Sequence, residues 1–219
     1  ADIFASGEQA RVPLLLGWNS EESGFQSILG QLEPSPENYA SVIKNLFRDS
    51  AETVLKLYPG TTADEVIASA TALAGDGFIS FSTWKLYDLH RQTGNSRVYR
   101  YFYARPRPLM RSEAGNPAAK ASRGASHSAE IEYAMGNLPT NRVYDWQPED
   151  FTVSAIMQEY FANFVKTGDP NGTGLPLWPA SGTDNPEQYL IIDANTRAVK
   201  DQYRKRYEWL DQWYKLNAN

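Results

Sequence analysis

The chain has 219 residues and none of them is cysteine. Without thiols it has no disulfide framework, no thiolate metal site and no cysteine nucleophile. Long apolar runs are also missing, and none approaches the ~20 residues that a membrane-spanning helix needs. The formal net charge is −5, with acidic and basic residues mixed along the chain and no basic stripe. We therefore expect neither nucleic acid nor a membrane among the partners.

An initiating methionine and a signal peptide are absent as well, since the chain opens directly at Ala1-Asp2-Ile3-Phe4. Such an opening is typical of the middle of a longer sequence. Aromatic residues, in contrast, are plentiful: six Trp and thirteen Tyr are more than a disordered chain carries. We expect a folded globular body that belongs to a longer protein.

Hydrophobic patterning predicts strands alternating with helices. Apolar or aromatic runs predict strands at 12–17, 98–103 and 189–193, and the first of these is continuous enough to be buried on both faces of a parallel sheet. The predicted helices cover 36–75 (with breaks near 49–50 and 58–60), 77–93, 149–167 and about 199–216. This order indicates an α/β fold with few strands and many helices. A sheet of two or three strands would leave edges unpaired, which again points to missing strands.

One of the two histidines, His127, lies in a stretch of small residues, Gly124-Ala-Ser-His-Ser-Ala129. A general base for acyl transfer needs such a projecting position, because it must reach both a nucleophile and an orienting carboxylate. Glu22, which follows the first predicted strand, is a candidate for that carboxylate. Spacing alone leaves ordinary alternatives open: Glu22 as a solvated loop acid beside Glu21, and His127 as an ordinary loop histidine.

The nucleophile of a hydrolase of this kind sits in a Gly-x-Ser-x-Gly turn between a strand and a helix. No serine of the chain has that setting: Ser126 and Ser128 flank the histidine, Ser23 precedes a single glycine, and Ser122 and Ser181 lack the paired glycines. A glycine-rich segment for an oxyanion hole is also absent. The residues therefore predict an acid and a base without their nucleophile.

Several segments resemble the C-terminal part of type B carboxylesterases, the cholinesterase-like branch of the α/β-hydrolases. The similar stretches occur in the family's order and span nearly the whole chain: Val12–Phe25, Val98–Pro106, Gly124–Tyr133, Phe161–Asn171, and Trp178-Pro179 before the Tyr189 strand. The resemblance implies that residues 1–219 are a single C-terminal portion of an α/β-hydrolase domain, with the serine turn in an N-terminal half outside this chain.

The same resemblance assigns the candidate residues. The motif Gly-x-Asn-x-x-Glu supplies the family's triad acid and maps to Glu22 rather than Glu21, and Gly-x-x-His-x-x-Glu-Ile supplies the base and maps to His127. It implies hydrolysis of a small-molecule carboxylic ester by a Ser-Glu-His triad, with no cofactor or metal. The partner would be the N-terminal half of the same protein, and this fragment alone would be inactive. Because secreted relatives use disulfides, the absence of cysteine favours a bacterial enzyme of the cytoplasm or periplasm.

Two alternatives remain. Some cholinesterase-like proteins are non-catalytic binding or adhesion modules, although a chain that keeps both Glu22 and His127 fits that class poorly. The chain could also be one piece of a nicked enzyme that stays docked to its other half. For His90 we expect a structural role at a helix C-terminus, and for Glu130 bracing of the His127 loop. We expect the Asp169–Gly172 stretch to form a turn. The tryptophans Trp18, Trp146 and Trp178 would pack in the core or line a substrate pocket.

Overall fold

The computed structural model describes residues 1–181 and 188–217. Its strands are β1 (Leu14–Asn19), β2 (Val98–Tyr103), β3 (Gln188–Ile192) and β4 (Arg197–Lys200). Its α-helices are α1 (Asp2–Ala5), α2 (Gln26–Leu29), α3 (Pro36–Phe47), α4 (Ala51–Leu57), α5 (Ala63–Gly75), α6 (Phe81–Thr93), α7 (Ile131–Ala134), α8 (Pro148–Thr167) and α9 (Arg204–Asn217). The described residues form the mixed α/β architecture that the sequence predicted.

The chain divides into two compact units. The sheet unit consists of Ala1–Ser20 and Ser82–Gln202 and contains all four described strands. The helical unit consists of Glu21–Phe81 together with the segment that begins at Tyr203, and it contains α2 to α5 and α9. The chain thus enters the helical unit directly after β1 and returns to the sheet unit at the start of α6.

The four described strands form one sheet in the order β1-β2-β3-β4. β1 and β3 both pair in parallel with β2, and β4 pairs antiparallel with β3. The predicted last helix, at about 199–216, exists as α9, but its predicted start was wrong, because residues 197–200 pair with β3 and the helix begins only at Arg204. The short segment Arg-Ala-Val-Lys has little preference of its own, and the hydrogen bonds that β3 offers decide its structure.

β1 is less buried than its apolar sequence predicted. Its first four residues are only half-buried, and it pairs with β2 alone among the described strands. The expectation of burial on both faces is therefore wrong for these residues. Gly17 has a clear reason to be glycine, since a Cβ there would overlap the ring of Tyr101 on β2, the residue opposite it in the register.

Helix α8 forms the main helical wall of the sheet unit's core. Pro148 occupies its first turn, a reciprocal pair of hydrogen bonds between Gln147 and Asp150 caps it, and Gly168 ends it in a left-handed conformation. All six residues of the predicted apolar stripe pack on the core cluster: Val153, Ile156, Met157, Tyr160, Phe161 and Phe164. The prediction of an amphipathic helix at 149–167 is confirmed.

The longer helices of the helical unit begin where the sequence predicted. The hydroxyls of Ser35 and Thr62 accept hydrogen bonds from backbone N–H groups in the first turns of α3 and α5. The predicted breaks also occur, as a 3₁₀ turn at Arg48–Ser50 and as an irregular segment between α4 and α5. A cluster of buried side chains on these helices, including Tyr39, Ile43 and Val54, forms the unit's core.

The predicted boundary between residues 75 and 77 does not exist. α5 and α6 are joined through a π-helical segment, Asp76–Ser80, into one helical stretch of 31 residues, Ala63–Thr93. By length and mean hydropathy this stretch could cross a membrane, contrary to the sequence expectation. Half of its most apolar window is buried inside the structure, and core helices of folded domains share these properties, so it is weak evidence for a membrane span.

Candidate active site

His127 lies at the tip of a tight turn in the sheet unit. The N–H of Ala129 donates to the carbonyl oxygen of Ser126 at 3.0 Å, which places His127 and Ser128 at the two central positions. Ser128 has a φ of +64°, the left-handed conformation that the third residue of a type II turn adopts. The side chain of His127 is exposed. The imidazole therefore projects from the turn toward solvent.

Two alanines explain why the histidine points outward. Ala125 and Ala129 are fully buried in the same core cluster as Tyr103 and Tyr133. Because their side chains are single methyl groups, the backbone on both sides of the turn lies close against the core. The residues between them, with larger side chains, are displaced toward solvent. The small-residue composition of Gly124–Ala129 is thus the local cause of the projecting imidazole.

The end of β1 holds this turn in place. Nδ2 of Asn19, the last residue of the strand, donates to the carbonyl oxygen of Ser126 at 2.8 Å. The hydroxyl of Ser20 accepts the N–H of Ala125 at 2.8 Å. The Asn19 amide also donates to the carboxylate of Glu130, which confirms the expectation that Glu130 braces the loop. These contacts fix the backbone immediately before His127 to the carboxyl end of a strand, where sites of α/β sheets form.

The buried carboxylate of Asp150 holds the segment that follows the His127 turn. Asp150, at the start of α8, is fully buried and accepts hydrogen bonds from the Tyr133 hydroxyl at 2.8 Å and from Arg105 Nε at 2.7 Å. Burial and the neighbouring Asp150 raise the pKa of the Tyr133 hydroxyl above its usual range, so it stays a hydrogen-bond donor. Since α7, which carries Tyr133, follows directly after the His127 turn, this network anchors the far side of the loop.

The candidate acid Glu22 lies in the helical unit, three residues after the end of β1. Its side chain is buried, with 8% of its surface exposed, so the alternative of a solvated loop acid is wrong. The backbone of Gly75 at the end of α5 lies beside it: a Cβ on Gly75 would come within 3.5 Å of the Glu22 Cβ. Glu22 and His127 thus belong to different units. The contacts described for each residue lie within its own unit.

The other residues considered have structural roles within the sheet unit. His90 lies buried in the last turn of α6 with Nε2 2.9 Å from the Val12 carbonyl oxygen, as expected for a structural histidine. Asp169 accepts the N–H of Asn171, which makes the predicted turn. Trp178 is fully buried and packs edge-on against three tyrosine rings, including that of Tyr160. Trp146 packs edge-on against Tyr133. No group of three His, Asp or Glu side chains able to hold a metal occurs within the described ranges.

Sequence reasoning missed Asn19 and Ser20 as parts of the site. Asn19 occupies the third position of the Gly-x-Asn-x-x-Glu motif, and this was the available signal. Asn19, at the end of β1, is 2% exposed because its amide binds a loop more than a hundred positions away. No local pattern in the sequence contains that information.

Comparison with known proteins connects the turn and the buried acid to a family. The model of the carboxylesterase family matches residues 1–209. Among curated relatives, carboxylesterase 5A of Canis lupus familiaris is 32% identical over 211 residues, covering 89% of this chain and 35% of the relative. An acylcarnitine hydrolase of Mus musculus is 28% identical over 214 residues, covering 91% of this chain and 37% of the relative.

A third relative is the medium-chain fatty acyl-CoA hydrolase precursor of Anas platyrhynchos, 28% identical over 225 residues, with 94% of this chain and 37% of the relative covered. The chain therefore spans little more than a third of the length of the relatives it matches. The matched region contains both Glu22 and His127.

Proposed function

The chain belongs to the carboxylesterase family, whose model matches residues 1–209, and from this premise we propose that it supplies the acid and the base of a serine esterase triad. His127 is the general base and Glu22 is the carboxylate that orients it. No Gly-x-Ser-x-Gly turn exists in these 219 residues, so the serine comes from a segment outside them. The observation that carries the proposal is the built turn that presents His127 outward from the end of β1.

Chain length supports the pairing of Glu22 with His127. The hydrogen bond between Ser20 and Ala125 joins two points of the chain, and each lies two positions before one of the candidate residues. Two residues span at most about 7 Å, so neither candidate is far from this hydrogen bond.

The proposed reaction is acyl transfer to serine followed by hydrolysis. As the serine oxygen attacks the ester carbonyl, its proton passes to Nε2 of His127, and Glu22 stabilises the imidazolium that forms. The imidazolium then gives the proton to the leaving alkoxide, which departs as the alcohol. In the second half His127 takes a proton from water, the hydroxide attacks the acyl-enzyme, and the proton returns to the serine oxygen as the carboxylic acid leaves.

For the substrate we propose a small-molecule carboxylic ester, because the chain belongs to the carboxylesterase family and one of its relatives is named an acylcarnitine hydrolase, whose substrate is such an ester. The direct test uses p-nitrophenyl acetate and p-nitrophenyl butyrate. A protein that contains this chain together with the serine segment should hydrolyse them, and His127→Ala should reduce kcat by roughly a thousandfold or more. The isolated residues 1–219 should not exceed the same chain with His127→Ala. Turnover by 1–219 that depends on His127 would contradict the external nucleophile, and an inactive complete protein would favour a binding module.

A second test examines the acid–base pair without any turnover. The chain has only two histidines, so the imidazole ¹⁵N spectrum contains two residues, with buried His90 as an internal reference. We expect Glu22→Ala to change the tautomer of neutral His127, because the group that accepts its Nδ1–H is lost. Glu21→Ala is the matched control and should leave it unchanged. Equal effects of both variants, or none, would refute Glu22 as the partner.

A further inference from the structure

The two residues that flank His127, Ser126 and Ser128, each have their backbone carbonyl held by a side chain. Asn19 donates to the carbonyl of Ser126, and Nη2 of Arg107 donates to the carbonyl of Ser128 at 3.1 Å. Arg107 lies in the loop after β2, about twenty positions before the turn, and no motif marks it. The two hydrogen bonds hold the turn at its first and its third residue, and both lie within the sheet unit.

At the exit of the turn the backbone adopts an unfavourable conformation and depends on hydrogen bonds from other residues. Ser128 adopts a left-handed conformation that non-glycine residues rarely occupy, because the Cβ crowds the backbone there. Its carbonyl also receives the N–H of Ile131 at 3.4 Å, a long hydrogen bond. The donor from Arg107 is charged and, at 3.1 Å, the shorter of the two contacts, so it contributes more to the direction of this peptide plane.

Arg107 is itself held from two sides. Its Nη2 lies 2.6 Å from Oε2 of Glu132, and the other oxygen of that carboxylate accepts Nδ2 of Asn141 at 2.7 Å. The guanidinium also lies over the ring of Tyr144, 5.2 Å from its centre. The side chain is largely buried, with 21% of its surface exposed. A planar group fixed by a carboxylate and a ring keeps its direction, and a flexible ammonium would not.

We propose that Arg107 is a positioning residue for His127, an inference that rests on the proposed function of that histidine. By fixing the Ser128 carbonyl it sets the orientation of the peptide between Ser128 and Ala129, at the end of the turn. The turn then has fewer backbone conformations open to it, and this limits the directions that the His127 imidazole can take. A displacement of a reacting group by about 1 Å reduces rates roughly a hundredfold. In a complete esterase we expect Arg107→Met to lower kcat and leave KM nearly unchanged, since Arg107 acts through the turn and not on the substrate.

The structural test uses residues 1–219 with Arg107→Met, Arg107→Lys and the control Arg97→Met. Arg97 forms an ion pair with Asp169 in the same unit, at 2.9 Å, and is mostly exposed. The probe is hydrogen exchange at the Ala129 amide, which closes the turn. We expect roughly tenfold lower protection in Arg107→Met, partial recovery in Arg107→Lys, and wild-type protection in Arg97→Met. The His90 ring signals should not change in any variant.

If Arg107→Met fails to fold, Glu132→Gln takes its place, because it keeps the arginine and weakens the pair that fixes it. Wild-type protection of Ala129 in Arg107→Met, or an equal loss in Arg97→Met, would overturn the positioning role. This readout does not depend on ester hydrolysis, whereas the comparison of Glu22→Ala with Glu21→Ala tests the acid–base pair. A third outcome is possible: Arg107→Met lowers the protection of the Ala129 amide, and Glu22→Ala leaves the His127 tautomer unchanged. In that case Arg107 holds the turn, and only the proposed function on which its positioning role rests is refuted.

Discussion

The carboxamide of Asn19 donates a hydrogen bond of 2.8 Å to the carbonyl oxygen of Ser126, 107 positions later in the chain. Asn19 ends a strand and Ser126 begins the turn that carries His127. One amide group thus joins the sheet to the loop that presents the candidate base. The position of that base depends on a contact between residues that are remote in sequence, and this contact is partly buried in the fold.

The first prediction concerns this amide. Asn19→Ala leaves the Ser126 carbonyl and the Glu130 carboxylate without their shared donor, and we expect a loss of about 1–3 kcal/mol of stability in urea unfolding. The His127 imidazole signals should shift at the same time. Asn163→Ala, which removes a longer bond to the Pro170 carbonyl elsewhere in the unit, should destabilise less and leave His127 unchanged. Unaltered His127 signals in Asn19→Ala would contradict this account.

The second prediction concerns the left-handed residue of the turn. Ser128→Val places a β-branched side chain at a φ of +64°, and we expect a loss of about 1–2 kcal/mol. Ser126→Val changes the residue on the other side of His127, which is exposed and whose φ is not positive, and should cost less. Denaturant midpoints of the two variants give the comparison, and equal midpoints would argue against strain at Ser128.

The third prediction concerns pH. Burial raises the pKa of the Asp76 carboxyl from 3.8 to about 6, although the Tyr58 hydroxyl, which donates to it at 2.8 Å, and the nearby Arg206 favour the ionised form. Between these pH values the folded protein keeps a proton that the unfolded chain has released. Asp76 therefore makes stability fall as pH rises from about 4 to about 6, by an amount on the order of 3 kcal/mol, and the effect levels off above pH 6.

Urea unfolding of the wild-type chain and of Asp76→Asn across pH 4 to 7 isolates this contribution. The stability of the wild-type chain minus that of the variant should decrease as pH rises to about 6. The control is Asp49→Asn, which changes an exposed aspartate of the same unit and should give a difference that depends little on pH. A pH-independent difference for Asp76→Asn would refute the raised pKa.

The fourth prediction compares two ion pairs of the sheet unit. Arg100 and Asp201 lie 2.6 Å apart with side chains only 2% exposed, and Arg100 is also surrounded by aromatic rings. Asp201→Asn leaves a buried guanidinium without its counter-charge, and we expect a loss of about 3–5 kcal/mol. The pair between Arg197 and Asp193 is exposed, so Asp193→Asn should cost under about 1 kcal/mol. Similar denaturant midpoints for the two variants would contradict the difference in burial.

Periodic patterns predicted much of the fold because they reflect local physics. The stripe from Val153 to Phe164 repeats at the spacing of a helix, and a proline and a glycine mark the ends of α8. β2 was predicted from its aromatic residues for a similar reason. Sequence patterns failed to predict the segments whose structure depends on contacts with residues elsewhere in the chain. β4 exists because β3 lies beside it, and the joint between α5 and α6 is a π-helical segment around buried Asp76.

For the candidate site, the sequence by itself determined the residue types: a histidine among small residues, a glutamate after a strand, and no serine in a nucleophile turn. Local chemistry dictates these features, since a projecting imidazole needs small neighbours. Only the tertiary structure decided that Glu22 is buried, that Asn19 and Ser20 hold the His127 turn, and that Arg107 grips its exit. The reason is physical: hydrogen bonds between distant segments form only when the packed core brings their backbones together.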